Sequence, residues 1–150
     1  MKTILFLLGS MLFTSTANSQ SFFLTAEDRT HGVELWKSDG TYKGTVMVKD
    51  INTTAGTSSN PSQFTFVGNT LFFTANDGRN GTELWKSDGT YAGTVMVKDI
   101  NTNAGASSNP GQFKVIGNTL FFTATDRANN VGLWKSDGTN AGTVMVKQFQ

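Results

Sequence analysis

The chain contains no cysteine. That excludes a disulfide framework, a thiolate zinc site and a lipoprotein anchor cysteine. An extracellular protein without disulfides must rely on packing, or on closing into a larger assembly. Proline is scarce, with 2 in 150 residues, and His31 is the lone histidine. Charge of either sign is also missing in excess: 12 basic and 11 acidic side chains leave a formal net charge of +1. Setting aside Lys2 makes the chain neutral. A neutral chain lacks the long-range field by which proteins gather nucleic acid or anionic membranes, so neither is an expected partner. Phosphate-loop and dinucleotide fingerprints are missing as well.

Long apolar runs are missing except at residues 4–13, behind Lys2. That run is too short to cross a bilayer core, which needs about 20 residues. Small and polar residues follow it, with Ala17-Asn18-Ser19 fitting a small-x-small cleavage pattern. Residues 1–19 therefore read as a secretory signal peptide, cut after Ser19 with Ala17 the second choice. The alternative is an uncleaved anchor. After cleavage no stable membrane span is expected, and the protein is expected to be secreted, in the medium or at a bacterial cell surface.

What is present in quantity is repetition. The text from Glu83 to Thr90 (Glu-Leu-Trp-Lys-Ser-Asp-Gly-Thr), with its continuation to Ile100, also stands from Glu34 to Ile51 and from Leu133 to Lys147. Trp36, Trp85 and Trp134 are spaced 49 residues apart, as are Phe23, Phe72 and Phe121. Such a period decides the architecture. It divides residues 20–150 into repeats at 20–52, 53–101 and 102–150.

Within the central repeat, residues 62–67 alternate polar and apolar and read as a strand. Gly68-Asn69 is a tight turn. Residues 70–75 form a second strand, dense in aromatic and β-branched side chains. Residues 76–81 are a polar loop, and 82–87 a third strand. Asp88-Gly89 opens a turn, and 94–100 is the fourth strand. A long Ser/Asn/Gly/Ala loop follows. In the first repeat the strands fall at 21–26, 33–38 and 45–51, and the first strand is missing. The expectation is an all-β, β-propeller-like array of four-stranded antiparallel blades with a 49-residue repeat. About three blades and eleven strands make an incomplete ring. Leu84 and Trp85 point to opposite faces of their strand, so each sheet wants company on both sides. A β-solenoid or an open array of hairpin sheets is the rival architecture.

The Glu-Leu-Trp-Lys-Ser-Asp-Gly-Thr and Gly-Thr-Val-Met-Val-Lys-Asp-Ile segments, with Asn60-Pro61-Ser62-Gln63-Phe64 between repeats, resemble the ELWxxDGT repeat family of secreted bacterial proteins. The resemblance implies propeller proteins exported to the envelope or medium, sometimes with a C-terminal sorting or adhesion module, and no firmly attached activity. Blades of this kind are also similar to those of TolB-type propellers. The third repeat departs from the motif, with Gly132 where Glu34 and Glu83 stand.

Candidate chemistry is sparse. Asp39, Asp88 and Asp137 recur before glycine; a turn explains them more simply than calcium does. Asp28, Asp77 and Asp126 form a second register, and Asn76, Asn80 and Glu83 beside Asp77 are oxygen donors. Calcium is conceivable there, but a loop cap is the plainer role, and no cofactor is expected. The tryptophans suit a core position better than a carbohydrate-stacking platform. His31 stands without an identifiable partner, so no Ser-His-Asp arrangement can be built, and no carboxylate pair singles itself out for glycosidase work.

Repeats two and three are identical at about two thirds of their positions. Many differences fall in the loop between second and third strands. In a propeller those loops share a face with the long inter-blade loops, and the Asp-Gly and Gly-Asn turns take the other. Loops on a rigid scaffold commonly carry binding, although loops also drift. The candidate binding residues are Asp28, Arg29 and His31; Asn76, Asp77, Arg79 and Asn80; and Asp126, Arg127 and Asn129. The function that follows is a secreted, non-enzymatic binding or assembly scaffold at the envelope. Its partners would be a protein or a glycan, with self-association, two chains making six blades, as a further option. The alternatives are a fragment of a larger propeller and a glycan-active enzyme.

Overall fold

The computed structural model describes residues 12–14 and 21–149. Among them are twelve strands and no helix, arranged as three four-stranded antiparallel meanders. The first sheet runs β1 (Leu12–Thr14), β2 (Ser21–Asp28), β3 (Gly32–Ser38), β4 (Val46–Lys49). The second runs β5 (Ser62–Val67), β6 (Thr70–Asn76), β7 (Thr82–Ser87), β8 (Val95–Lys98). The third runs β9 (Gly111–Ile116), β10 (Thr119–Thr125), β11 (Val131–Ser136), β12 (Val144–Gln148). With no helix present, none is available to cross a membrane among the described residues.

The first sheet corrects an expectation. It was to lack its outer strand, for eleven in all. Instead β1 pairs antiparallel with β2, Leu12 opposite Phe23 and Thr14 opposite Ser21. An open β2 edge would expose a row of unpaired peptide groups, and an upstream segment fills it. That segment lies inside the stretch read as a signal peptide. The rest of that reading, including both cleavage positions, lies outside the described residues.

The sheets lie face to face, and their shared faces are the core. Trp85, Phe73, Leu71, Ala75 and Phe64 of the second sheet pack on Phe23, Leu35, Val48 and Ile51 of the first. Phe72, Leu84, Val97 and Ile100, from the opposite side of the second sheet, pack on Leu120, Phe122, Ala124 and Trp134 of the third. Leu84 and Trp85 thus enter different cores, as strand alternation requires. Full burial of side chains such as Phe73 and Leu84, each 0% exposed, contributes about 1.5–3 kcal/mol apiece.

Bulges shape the strands. A register shift falls between Leu84 and Trp85 in the β7–β8 pair, and its counterparts fall at Leu35/Trp36 and Leu133/Trp134. Another opens β5 between Ser62 and Thr65, where Gln63 sits at φ 59°. Each Asp-Gly turn is closed by its own side chains. Asp88 Oδ1 accepts from the Thr90 amide at 2.9 Å and from Thr90 Oγ1 at 2.7 Å, while Gly89 takes φ 87°. Asp39 and Asp137 repeat this with Thr41 and Thr139. The threonine bonds hold all three carboxyls below their ordinary range.

Candidate functional site

Two ends of the stacked sheets differ in character. At one end lie the Asp-Gly and Gly-Asn turns. There a groove of about 280 Å³ is lined by Gly68, Thr70, Phe72, Lys86, Asn118 and Gly138 among others. Its lysine is already committed, since Lys86 Nζ donates to Gly138 O at 2.7 Å. At the other end lie the loops 29–31, 77–81 and 126–130, with the linkers 50–61 and 99–110 beside them.

The linkers are sewn into both flanking sheets. Ser59 N donates to Val33 O of the first sheet at 3.1 Å, and Ser59 O accepts from Asn76 N of the second at 2.9 Å. Ser108 repeats this between Thr82 and Thr125, at 3.1 and 2.8 Å. The loops are bonded to the linkers too: Gly56 N reaches Thr30 O at 3.1 Å, and Asn103 Nδ2 reaches Arg127 O at 2.8 Å.

Each loop winds around its own aspartate. Asp77 Oδ1 accepts from the Arg79 and Asn80 amides at 2.9 and 2.8 Å, and Oδ2 from Asn80 Nδ2 at 2.8 Å. Asp126 does the same with Ala128 and Asn130. Asp28 takes the Thr30 and His31 amides, both at 2.8 Å. Such aspartate-capped loops are pre-shaped by local bonds rather than by a ligand. Burial works to raise the Asp77 carboxyl, but the Asn80 and Arg79 bonds outweigh it and leave it lowered. Asn76 Oδ1 is occupied by Gly78 N at 2.7 Å. Arg29, Arg79, Arg127 and Asn129 are exposed on their loops.

His31 has a partner after all, contrary to the sequence reading. Its Nδ1 stands 2.8 Å from Asp28 Oδ2 and 2.9 Å from Oδ1. The aspartate turn folds the chain back within three residues and delivers the ring to the carboxylate. An Asp-x-x-His spacing in a loop was the available signal. The Asp28 bond raises the imidazole above its ordinary value. For Asp28, burial pushes up, but the His31 and Thr30 bonds prevail and lower it. The sign for stability follows. A raised histidine contributes fully below its ordinary value, and the contribution is lost as pH rises through the raised one. An NMR titration of His31 is therefore expected to give a pKa above the ordinary histidine value, returning to it in Asp28→Asn. An ordinary value in the wild-type chain would mean that the pair does not form.

Sequence reasoning missed Glu34 and Glu83 as working residues. Both are 0% exposed. Glu83 Oε2 accepts from Ile100 N at 2.9 Å and from Ser108 Oγ at 2.5 Å, and Oε1 from Ser108 N at 2.9 Å. Glu34 holds Ile51 and Ser59 in the same way. Each carboxylate therefore clasps the linker that leads to the next sheet. Burial raises both, and the serine and backbone bonds pull them back only partly. With its oxygens taken, Glu83 does not join Asp77 as an oxygen donor. Among the described residues no group of three or more His, Cys, Asp or Glu side chains is arranged to hold a metal. Asp99 is raised first by burial and then by the nearby charge of Asp77. Trp85 and Trp134 are buried between sheets, so their rings offer no stacking surface.

The arrangement thus offers three similar, locally locked loops with exposed guanidinium groups, on a frame stitched together by linkers. Compared with protein-family models, with curated proteins and with solved structures, the chain matches none.

Proposed function

We propose that this is a secreted, non-enzymatic repeat protein serving as a binding or assembly scaffold at the cell envelope or surface. Its sheets would be blades set around an axis, as the ELWxxDGT resemblance implies, and its ligand face would be the loop end. The observation that carries the reading is the pre-shaping of the loops around Asp28, Asp77 and Asp126, with Arg29, Arg79 and Arg127 left exposed. A loop already held by its own bonds loses little entropy on binding. Forked guanidinium groups suit carboxylates or sulfates on a glycan or protein surface.

Binding to an array of envelope glycans and surface proteins tests this. Arg29→Ala, Arg79→Ala and Arg127→Ala combined are expected to weaken the best ligand at least tenfold with no change in thermal midpoint. Absence of any ligand in the wild-type chain, or one indifferent to the triple change, would remove the proposal. The glycan-active alternative has one foothold, the neighbouring Asp77 and Asp99 carboxyls. It would be favoured by glycan turnover that Asp99→Asn abolishes in a folded chain.

A further inference from the structure

The junction between consecutive sheets occurs twice in the chain, made each time from equivalent atoms. At the first, Lys37 Nζ donates to Gly89 O at 2.7 Å and Lys49 Nζ to Thr94 O at 2.8 Å. At the second, Lys86 donates to Gly138 O at 2.7 Å and Lys98 to Thr143 O at 2.9 Å. Phe23 lies against the Gly89 turn and Phe72 against the Gly138 turn. Lys49 also sits 4.6 Å over the Tyr91 ring. In each case the earlier sheet supplies lysines and apolar side chains, and the later sheet supplies its Asp-Gly turn and its tryptophan face.

Among the described residues, the two outer faces of the stack carry the unused halves. The third sheet keeps the donor half. Val146 is 50% exposed, where its counterparts Val48 and Val97 are 6% and 5%. Lys135 and Lys147 are exposed, and no acceptor turn lies beside them among the described residues. The first sheet keeps the acceptor half. Among the described residues nothing lies within 4 Å of a Cβ built at Gly40, whereas Gly89 and Gly138 are covered, and Tyr42 is 88% exposed. Trp36 is only half-buried, where its counterparts Trp85 and Trp134 are buried.

We propose that the outer face of the third sheet binds the first sheet of a second copy of this chain, head to tail. Lys135 and Lys147 donate to the Gly40 and Thr45 carbonyls of that copy, and Lys147 lies over its Tyr42. A second copy continues the two existing junctions of the same design, because it brings to each outer face the half that face lacks. A contact of this kind is heterologous, giving a ring if the rotation closes and a filament if it does not. It stands apart from whatever the loops bind, so a chain with no glycan ligand could still assemble.

Sedimentation velocity of the full chain from low to high micromolar concentration tests this. The expected result is a mass rising in whole-chain steps. Val146→Asp blocks the donor face and Met47→Asp the acceptor face; each is expected to be a folded monomer by circular dichroism. Mixed in equal amounts they have one good face each, and are expected to form a pair and nothing larger. Lys135→Glu, at an exposed position, keeps the test open should an apolar change impair folding, and is expected to weaken association at least tenfold. A wild-type chain that stays monomeric would overturn the proposal. So would association that survives both single blocks and the lysine change, or a mixture that yields no pair.

Discussion

Replacing Glu83 by alanine is expected to lower the unfolding free energy by about 4 kcal/mol. Three donors lose their acceptor at once: Ile100 N, Ser108 N and Ser108 Oγ. Each buried donor left unmade costs roughly 1–3 kcal/mol, partly relieved where water can enter. The methylenes of a fully buried side chain are lost as well. Urea unfolding reads the change as a lower midpoint. A drop under about 1 kcal/mol would mean that the clasp is not holding the linker.

The same residue gives a pH signature. A buried carboxyl raised above its ordinary value binds a proton more tightly folded than unfolded. Stability therefore falls as pH climbs from the ordinary glutamate range through the raised value. Glu34 and Asp99 act in the same sense. The aspartates of the turns and loops, Asp28, Asp39, Asp77, Asp88, Asp126 and Asp137, act oppositely. Their contribution is lost as pH falls through their lowered values. Glu83→Gln is expected to flatten the first slope and leave the second.

Gly81→Ala is expected to cost about 3 kcal/mol, from backbone strain plus a clash. Gly81 has φ +72°, a conformation that an L side chain adopts only at a cost. A Cβ there would meet Ala106 O at 2.5 Å and its carbonyl carbon at 2.6 Å. Both are linker backbone, so the obstacle cannot swing aside. The loop would have to lift from the linker, breaking the Thr82 N to Ser107 Oγ bond of 2.8 Å. The thermal midpoint should drop by several degrees, with amide exchange speeding first at residues 77–82 and 106–109. A substitution tolerated at no cost would contradict the close approach.

Much of this was legible in the order of residues. Alternation located the strand at Ser62–Val67, and the third strand was placed at Thr82–Ser87, both with the observed bounds. The adjacent Leu84 and Trp85 foretold a sheet covered on both faces, and Asp-Gly marked turns whose glycines take positive φ. These are local rules, readable from neighbours in sequence. What escaped was carried by distance. Glu83 works on a serine twenty-five residues away and on backbone amides, and no pattern rule scores a carboxylate whose partners are uncharged. The contrast with Gly132 was visible, but its sense was not. A Cβ at Gly132 would meet Lys147 O at 2.9 Å, so the backbone as it stands leaves no room there for a side chain like that of Glu34 or Glu83. Strand β1 escaped for another reason. A leader's apolar run and an edge strand draw on the same residues, and composition alone favours the leader.

One consequence follows from junctions made of equivalent atoms. Such a molecule can change its length only in whole steps. Gain or loss of one complete unit, as unequal recombination in the gene would produce, leaves every neighbouring contact intact, because the new seam is chemically the old one. Loss of a few residues has no such refuge: it throws lysine, turn and aromatic out of step together. The period is thus a constraint on heredity as much as on shape.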